Sequence, residues 1–268
     1  MHAVAIASAK GGVGKSTLAL HLAHATAAAG YSTLLVDSDP QGAIGLSLSK
    51  RLAESPGLAE YLCEGRRLSE VMVRTRVPGF NLLPVGRISP HETAALAADV
   101  ADGRAYRQLI AEASREHEII IVDTPCGFGG ITVGALRATG NVISPVQAEP
   151  IAARTVRQLL EMIAALKAEG DPVELVGLVL SMLQIRNESS YAVAREVWDT
   201  FPANRLFDTN VPRDAAFLEA TAAGVPVGFL RTPAPPVARV FDLLAAELFE
   251  RLGISRTEAS SGPIRLVD

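Results

Sequence analysis

Residues 8–17 combine the residue types of a phosphate-binding loop with a second lysine, five positions before the usual one. The glycines of the loop are Gly11, Gly12 and Gly14. Glycines let successive backbone N–H groups turn inward around phosphate oxygens. Lys15 supplies a positive charge for the β- and γ-phosphates of a nucleotide, and the Ser16 hydroxyl suits Mg²⁺. Lys10 is the extra lysine, and an ordinary loop of this kind does not need it.

The segments on either side of the loop match what such a site requires. Residues 2–7 form a short apolar run that predicts a buried strand, and the leucines and alanines from position 18 to the glycine at position 30 predict a helix. A strand, a glycine loop and a helix in this order place the helix N-terminus at a bound anion. The sequence therefore predicts a nucleotide-phosphate site after the first strand.

Two later apolar runs each end in acidic residues. The first leads into Asp37 and Asp39, and the second, residues 118–123, ends in Asp123. Open α/β sheets bind ligands at the carboxyl ends of their strands, so we expect these carboxylates near the phosphates. Asp123 is predicted to hold Mg²⁺ through water. The glycine-rich segment 124–130 is predicted to move when the γ-phosphate is lost.

Apolar strands alternate with helical stretches along most of the 268-residue chain, which is 49% hydrophobic and 20% charged. The predicted strands after the first cover residues 33–37, 80–84, 118–123, 141–145 and 174–182. The predicted helices include residues 104–114, 152–167, 190–201 and 236–252. This order favours an α/β fold with a mostly parallel, twisted sheet and helices on both faces. We expect a single domain over residues 1–253 and a flexible tail over 254–268.

Charge and cysteine content narrow the class of protein. The net charge of −4 gives no support of its own to nucleic-acid binding, although it leaves room for a local basic patch. Cys63 and Cys126 lack metal-ligand spacing, so reduced thiols are expected. No apolar run is long enough for a membrane span, and no basic leader precedes the first strand. The sequence therefore predicts a cytoplasmic protein with no membrane partner.

Three motifs together resemble those of the ParA/MinD ATPases, a family of P-loop NTPases. They are residues 10–17, 36–42 and 122–125, which are similar to the deviant Walker A, switch I and Walker B motifs. Two further segments favour the ParA branch of that family. Residues 145–150 resemble its PVQPE segment, and residues 208–214, followed by Glu219 and Ala220, resemble its segment near the adenine. The similarity spans roughly residues 3–252.

The resemblance implies a slow, partner-stimulated ATPase that uses ATP and Mg²⁺ and forms an ATP-sandwich homodimer. Lys10 would be the signature lysine that reaches the phosphates held by the partner subunit, where it could act like an arginine finger. Asp39 would orient or activate the attacking water. The implied catalytic residues are Lys10, Lys15 and Asp39. The implied nucleotide contacts are Gly11, Gly12, Val13, Gly14, Lys15, Ser16, Thr17 at the α-phosphate, and Pro212 and Asp214 at the adenine. The implied metal site consists of Ser16, Asp37, Asp39 and Asp123.

The resemblance also implies partners: non-specific DNA on the nucleoid, and a ParB-like or cargo-adaptor protein. The candidate DNA contacts are Arg186, Arg195, Arg213, Arg231 and Arg239. Acidic residues nevertheless outnumber arginines between positions 174 and 252. The first strand begins at residue 2, which leaves no room for the N-terminal DNA-binding domain or ParB-contacting peptide of some family members. Site-specific operator binding is therefore not expected.

Two alternative functions stay open at this point. A MinD-like ATPase would act at a membrane, where the polar face of a surface helix is basic. The polar face of the predicted helix 236–252 instead sets Arg239 and Arg251 against Asp242, Glu247 and Glu250. A nucleotide-dependent metallochaperone or reductase would need paired cysteines, as in the nitrogenase-type iron proteins. Cys126 follows the Walker B motif, but the context of Cys63 does not match a second ligand. Cys126 is therefore interpreted as a packing residue.

Overall fold

The computed structural model describes residues 1–149 and 151–255. The strands of this part are β1 (His2–Ile6), β2 (Thr33–Asp37), β3 (Val73–Arg74), β4 (Phe80–Leu83), β5 (Ile119–Asp123), β6 (Asn141–Gln147), β7 (Glu174–Leu183) and β8 (Val211–Pro212). They form one sheet in the order β3-β4-β2-β5-β1-β6-β7-β8. All neighbouring strands are parallel except β3, which runs antiparallel to β4. The strand that precedes the glycine loop is therefore central.

The helices cover both faces of this sheet. They are α1 (Lys15–Ala28), α2 (Ala43–Leu48), α3 (Lys50–Ala53), α4 (Leu58–Glu64), α5 (Leu68–Val71), α6 (Pro90–Val100), α7 (Arg104–Ala113), α8 (Gly130–Thr139), α9 (Ala152–Ala168), α10 (Glu188–Thr200), α11 (Ala215–Ala223) and α12 (Arg239–Arg251). On one face of the sheet, apolar side chains of α1, α2, α11 and α12 pack against the strands in one core. Those of α4 through α10 pack on the opposite face.

Side-chain alternation on the central strands decides which face the acids meet. Leu35 and Ile121 belong to the core under α1, whereas their successors Val36 and Val122 belong to the opposite core. Successive side chains of a strand point to opposite faces. The residues that end the two strands, Asp37 and Asp123, therefore face the α1 side, where the glycine loop lies.

The predicted α/β architecture is confirmed, but the sequence did not indicate the shortest elements. Strands β3 and β8 have 2 residues each, and α3 and α5 have 4 each. Such elements are too short to show a hydrophobic period. Residues 236–238 form a 3₁₀ turn, so the last helix starts later than predicted. The domain boundary at 253 stays a prediction, because the predicted tail lies outside the described residues from position 256 onward. Among the described residues, no helix has both the length and the apolar composition needed to cross a bilayer.

His21 links α1 to the structure that covers it. Its Nδ1 lies 2.7 Å from the Thr17 carbonyl oxygen, and its Nε2 accepts the N–H of Val227 at 3.0 Å. Its ring stacks on Phe241 with 4.8 Å between the centroids. Because Nε2 is an acceptor, the neutral ring carries its proton on Nδ1 and donates it to Thr17. Burial lowers the pKa of His21 from 6.5 to about 4.

We expect His21 to make the fold sensitive to acid. The unfolded chain binds this proton below pH 6.5 and the native chain only near pH 4, so the stability is full above pH 6.5 and is lost as the pH falls towards 4. The loss is about 3 kcal/mol, at about 1.4 kcal/mol for each pKa unit. Urea unfolding at pH 7 and at about pH 4.5 should show a decrease about 2–3 kcal/mol larger for the wild type than for His21→Gln.

The control for this comparison is His91→Gln, because His91 lies exposed on α6. This variant should lose as much stability as the wild type over the same pH interval. Equal losses in the wild type and in His21→Gln would mean that other groups account for the acid sensitivity.

Candidate nucleotide site

The glycine loop joins the end of β1 to the start of α1. Gly12 has φ 76° and Gly14 has φ 90°, the left-handed region that only glycine enters at little cost. The first hydrogen bond of the helix runs from the N–H of Leu18 to the carbonyl oxygen of Gly14, at 2.8 Å. The N–H groups of the preceding residues, 15–17, are therefore not used by the helix itself. Together with the helix dipole they form an anion site.

Neighbouring strands hold the loop in place. The Ser181 hydroxyl, near the end of β7, donates to the carbonyl oxygen of Val13 at 2.8 Å. The backbone N–H of Gly127, in the glycine-rich segment after β5, donates to the carbonyl oxygen of Ser8 at 3.0 Å. The segment predicted to act as a switch is thus in direct contact with the phosphate loop. A movement of the glycine-rich segment would therefore change its contact with the phosphate loop.

Asp37 and Asp123 lie side by side at the carboxyl ends of β2 and β5, where they are register partners. Both side chains are fully buried. Asp37 Oδ1 accepts the N–H of Asp39 at 3.2 Å. Asp37 Oδ2 and both carboxylate oxygens of Asp123 have no hydrogen-bond partner among the described residues. Buried carboxylates without partners are costly, so this pair indicates that something else binds there.

The electrostatics of the pair point the same way. Burial raises the pKa of Asp37 to about 7, and the Asp39 carboxylate acts in the same direction. Burial also raises the pKa of Asp123 well above its ordinary value, and Asp37 adds to the effect, whereas the Ser16 hydroxyl and the Lys15 ammonium oppose it. A hydrated cation would satisfy the free oxygens and relieve the repulsion between the acids.

Mg²⁺ fits this donor set. The described residues contain no group of three or more His, Cys, Asp or Glu side chains arranged to hold a metal. Mg²⁺ usually keeps several waters and takes one or two carboxylates plus substrate phosphates, rather than a cage built only from protein. Ser16, Asp37 and Asp123 are the side chains that would hold it here, and Asp39, the fourth residue predicted for the metal site, lies half-buried beside them.

Asp39 begins the turn that follows β2. Its Oδ1 accepts the N–H of Gln41 at 2.9 Å, and this bond fixes the carboxylate within the turn. The side chain is half-buried, unlike that of Asp37. The structure thus places Asp39 next to the buried acids but within reach of solvent. That position suits a carboxylate that acts on water.

A cavity of about 440 Å³ opens beside the phosphate loop. It is lined by Gly14 and Thr17 from the loop and by Pro212 and Asp214 from the segment after β8. Its other walls include Phe217 and Leu218 on α11. Asp214 Oδ1 accepts the N–H of Ala216 at 2.8 Å, so its carboxylate caps that helix. The structure therefore brings together the loop and both residues predicted to lie at the adenine.

Met182 is part of this cavity and was not predicted. It has φ 54°, and among the described residues it is the non-glycine residue with a left-handed backbone. Its Cε lies 3.7 Å from the point that a Cβ on Gly14 would occupy. Nothing in the sequence marks a methionine for this conformation, since its preference for the right-handed regions is ordinary.

Lys10 does not extend freely from the loop. Its Nζ donates to Gln147 Oε1 at 3.2 Å and forms an ion pair with Glu149. About 26% of the Lys10 side chain is exposed. The sequence predicted that this lysine reaches a second subunit, and it gave no sign of partners within the same chain.

The five arginines proposed to contact DNA are not gathered on one surface of the chain. Arg186 and Arg195 lie exposed in the loop after β7 and on α10, over one face of the sheet. Arg239 begins α12, which packs on the other face. Arg213 lines the cavity described above, and Arg231 lies 3.8 Å from Glu219.

The interpretation of Cys126 as a packing residue is wrong. Its side chain is exposed, because the segment after β5 passes over the phosphate loop instead of entering the core. The sulfur lies 3.8 Å from the point that a Cβ on Gly11 would occupy. Cys63 is also exposed, on α4, and the two thiols are unpaired. The structure therefore gives no support to a site built from both cysteines.

Comparison with known proteins agrees with this geometry. The family model described as "AAA domain" matches residues 1–173. The chromosome partitioning protein ParA of Caulobacter vibrioides is 32% identical over 234 residues, which cover 85% of this chain and 86% of that protein. The chromosome-partitioning ATPase Soj of Treponema pallidum is 30% identical over 248 residues, which cover 91% of this chain and 95% of that protein.

Solved structures show the same architecture. The ATP complex of a substituted form of Cyanothece McdA superposes with a TM-score of 0.78 at 19% identity, covering 96% of this chain and 98% of that one. Cobyrinic acid a,c-diamide synthase from Mycobacterium smegmatis, with bound ADP and magnesium, gives a TM-score of 0.77 at 25% identity, covering 96% and 97%. With its two-lysine phosphate loop and its acids at the ends of β2 and β5, the chain belongs to the ParA/MinD family of P-loop ATPases, on the ParA branch.

Proposed function

We propose that this chain is a Mg²⁺-dependent ATPase that forms an ATP-sandwich dimer, binds DNA without sequence preference and positions a cargo such as a plasmid, a chromosome origin or a protein assembly. The observation that carries the proposal is the pair of buried, unpartnered carboxylates, Asp37 and Asp123, facing the phosphate loop. A site of that kind is poised for a cation that arrives with a nucleotide. The names of the related ParA and Soj proteins support the partitioning role.

The residues of the loop have separate tasks in hydrolysis. Lys15, which is buried, would bind the β- and γ-phosphates, and the free N–H groups at the start of α1 would bind phosphate oxygens. Bound Mg²⁺ would neutralise charge that develops on the phosphate oxygens. Asp39 would orient the attacking water and accept its proton. Pro212 and Asp214 would line the base pocket, with Thr17 at the α-phosphate.

Lys10 would complete the site of the partner subunit. Phosphoryl transfer depends on positioning and on charge neutralisation more than on covalent chemistry, so a lysine supplied in trans can raise the rate substantially. Hydrolysis would then wait for dimerisation. A ParB-like or cargo-adaptor protein would stimulate it further.

DNA binding would require the dimer, because one chain separates its arginines between the two faces of the sheet. Arg186 and Arg195 lie on the same side and serve as the test positions. Arg213 is less suitable, since it lines the nucleotide cavity. Two copies of the first pair, with further arginines, would supply about five or six phosphate contacts, enough for weak, salt-sensitive binding.

The expected result is retardation of a random-sequence duplex by the protein with ATP and Mg²⁺, and none with ADP. The logarithm of the affinity should fall with the logarithm of salt concentration with a slope of about −5. Arg186→Glu and Arg195→Glu should each weaken binding and reduce that slope by about 2, one contact from each subunit. Arg115→Glu, an exposed change after α7, is the control and should bind as the wild type does.

Two outcomes would contradict the DNA part of the proposal. One is a retardation of the duplex that is the same with ATP and with ADP, or the same in the wild type and in the Arg186→Glu and Arg195→Glu variants. The other is binding of ATP-loaded protein to vesicles of anionic lipid but not to DNA, which would favour the MinD-like alternative.

A further inference from the structure

Lys10 is held inside its own chain by two side chains from the end of β6. Its ammonium contacts Gln147 Oε1 at 3.2 Å and one carboxylate oxygen of Glu149. The Gln147 amide nitrogen donates to the other carboxylate oxygen of Glu149 at 2.5 Å. The three side chains therefore form a closed ring of hydrogen bonds. Both carboxylate oxygens of Glu149 are occupied within it.

Backbone hydrogen bonds fix the positions of the two residues that hold Lys10 in this ring. Gln147 is the last residue of β6, and the N–H of the next residue, Ala148, donates to Ser181 O on β7 at 3.3 Å. The carbonyl oxygen of Glu149 accepts the N–H of Ala152, the first residue of α9, at 2.9 Å. Glu149 is thus fixed between a central strand and a helix.

We infer that Glu149 is a positioning residue that keeps Lys10 in its own subunit until an ATP-loaded partner draws the lysine across. The inference rests on the proposed role of Lys10 in trans. The ring uses two of the three N–H donors of the Lys10 ammonium and holds it at the end of β6, so the side chain must leave Glu149 to extend to a phosphate in a second subunit. Every dimer that forms must break two such rings, one in each chain.

The exposure of the pair sets the size of the effect. The side chains of Lys10 and Glu149 are 26% and 44% exposed. Ion pairs this close to solvent contribute at most about 1 kcal/mol. Breaking two of them in each dimer raises the dimer dissociation constant by roughly tenfold or somewhat more, since 1.4 kcal/mol corresponds to a factor of ten. Glu149→Gln keeps the shape of the side chain and removes the charge, so it should tighten the dimer by roughly tenfold.

The composition of the chain allows a test that does not depend on dimerisation. The chain has four lysines, Lys10, Lys15, Lys50 and Lys167. Brief labelling with an amine-reactive reagent, without nucleotide, followed by mass spectrometry, reports the modification of each lysine. In Glu149→Gln the modification of Lys10 should rise up to about fivefold relative to Lys50 in the same sample. Glu161→Gln, an exposed change on α9, is the matched control and should leave the ratio unchanged.

The second arm measures the dimer itself. The protein concentration for half-dimerisation, with ATP and Mg²⁺, should fall about tenfold in Glu149→Gln and stay unchanged in Glu161→Gln. An unchanged Lys10 ratio in the labelling arm overturns the inference, whatever the dimer does. If the modification of Lys10 relative to Lys50 rises but the dimer is unchanged or weaker, the Lys10–Glu149 contact does not oppose dimerisation, and that part of the inference is overturned. Failure of the proposed function itself would appear separately, as normal dimerisation of a chain that lacks Lys10.

Discussion

Replacing Asp39 by alanine is expected to lower ATP turnover by about 10²–10⁴-fold while ATP binding stays near the wild-type value. The half-buried carboxylate lies beside the acids at the phosphate loop, in a position to act on water. In the proposed site the phosphate contacts would come instead from Lys15 and from the backbone. The variant should therefore accumulate as a dimer with ATP bound. Single-turnover hydrolysis and calorimetric ATP binding measure the two quantities separately.

The matched control for Asp39 is Asp99→Ala, because Asp99 is an exposed aspartate on α6, away from the loop. It should hydrolyse ATP at the wild-type rate. Full turnover in Asp39→Ala would assign the activation of water to a different group. Loss of ATP affinity in that variant would mean that Asp39 contributes to nucleotide binding rather than to activation of the attacking water.

Replacing Lys10 by alanine is expected to abolish dimerisation and to reduce turnover by about 10³-fold or more, as the loss of an arginine finger does. Each charge-assisted contact to a phosphate contributes about 1.5–3 kcal/mol, and a dimer would lose two of them. ATP should still bind the monomer, because Lys15 would contact the phosphates of the nucleotide in its own subunit.

Lys50→Ala is the control for Lys10, since Lys50 is an exposed lysine at the start of α3. This variant should dimerise and hydrolyse ATP normally. ATP affinity that falls in Lys10→Ala as steeply as turnover does would place Lys10 at the nucleotide of its own subunit.

The parts of the site that the sequence predicted depend on local patterns. The glycine spacing requires left-handed turns, which the structure has at Gly12 and Gly14. The apolar runs before Asp37 and Asp123 predict two buried strands that end in acids near the phosphates, whereas the pairing of these two strands is seen only in the structure. In each case, residues close together in the sequence determine the predicted feature.

The unpredicted features depend on contacts between distant segments. Glu149 meets Lys10 across 139 positions of sequence, and no local pattern pairs them. Met182 takes its left-handed backbone beside Gly14 although methionine has no preference for it. The arginines proposed for DNA divide between two faces because α10 and α12 pack on opposite sides of the sheet. Charge counts along the chain could not show that division.

The most direct test of the central claim is the mass in solution, by light scattering, of the wild type, Lys10→Ala and Asp39→Ala with ATP and Mg²⁺. We expect the wild type to shift towards twice the monomer mass of 28.2 kDa and Asp39→Ala to stay fully at that doubled mass. Lys10→Ala should remain at 28.2 kDa although it binds ATP. A Lys10→Ala protein that dimerises and hydrolyses ATP as the wild type does would contradict the proposed role of Lys10 in the partner subunit.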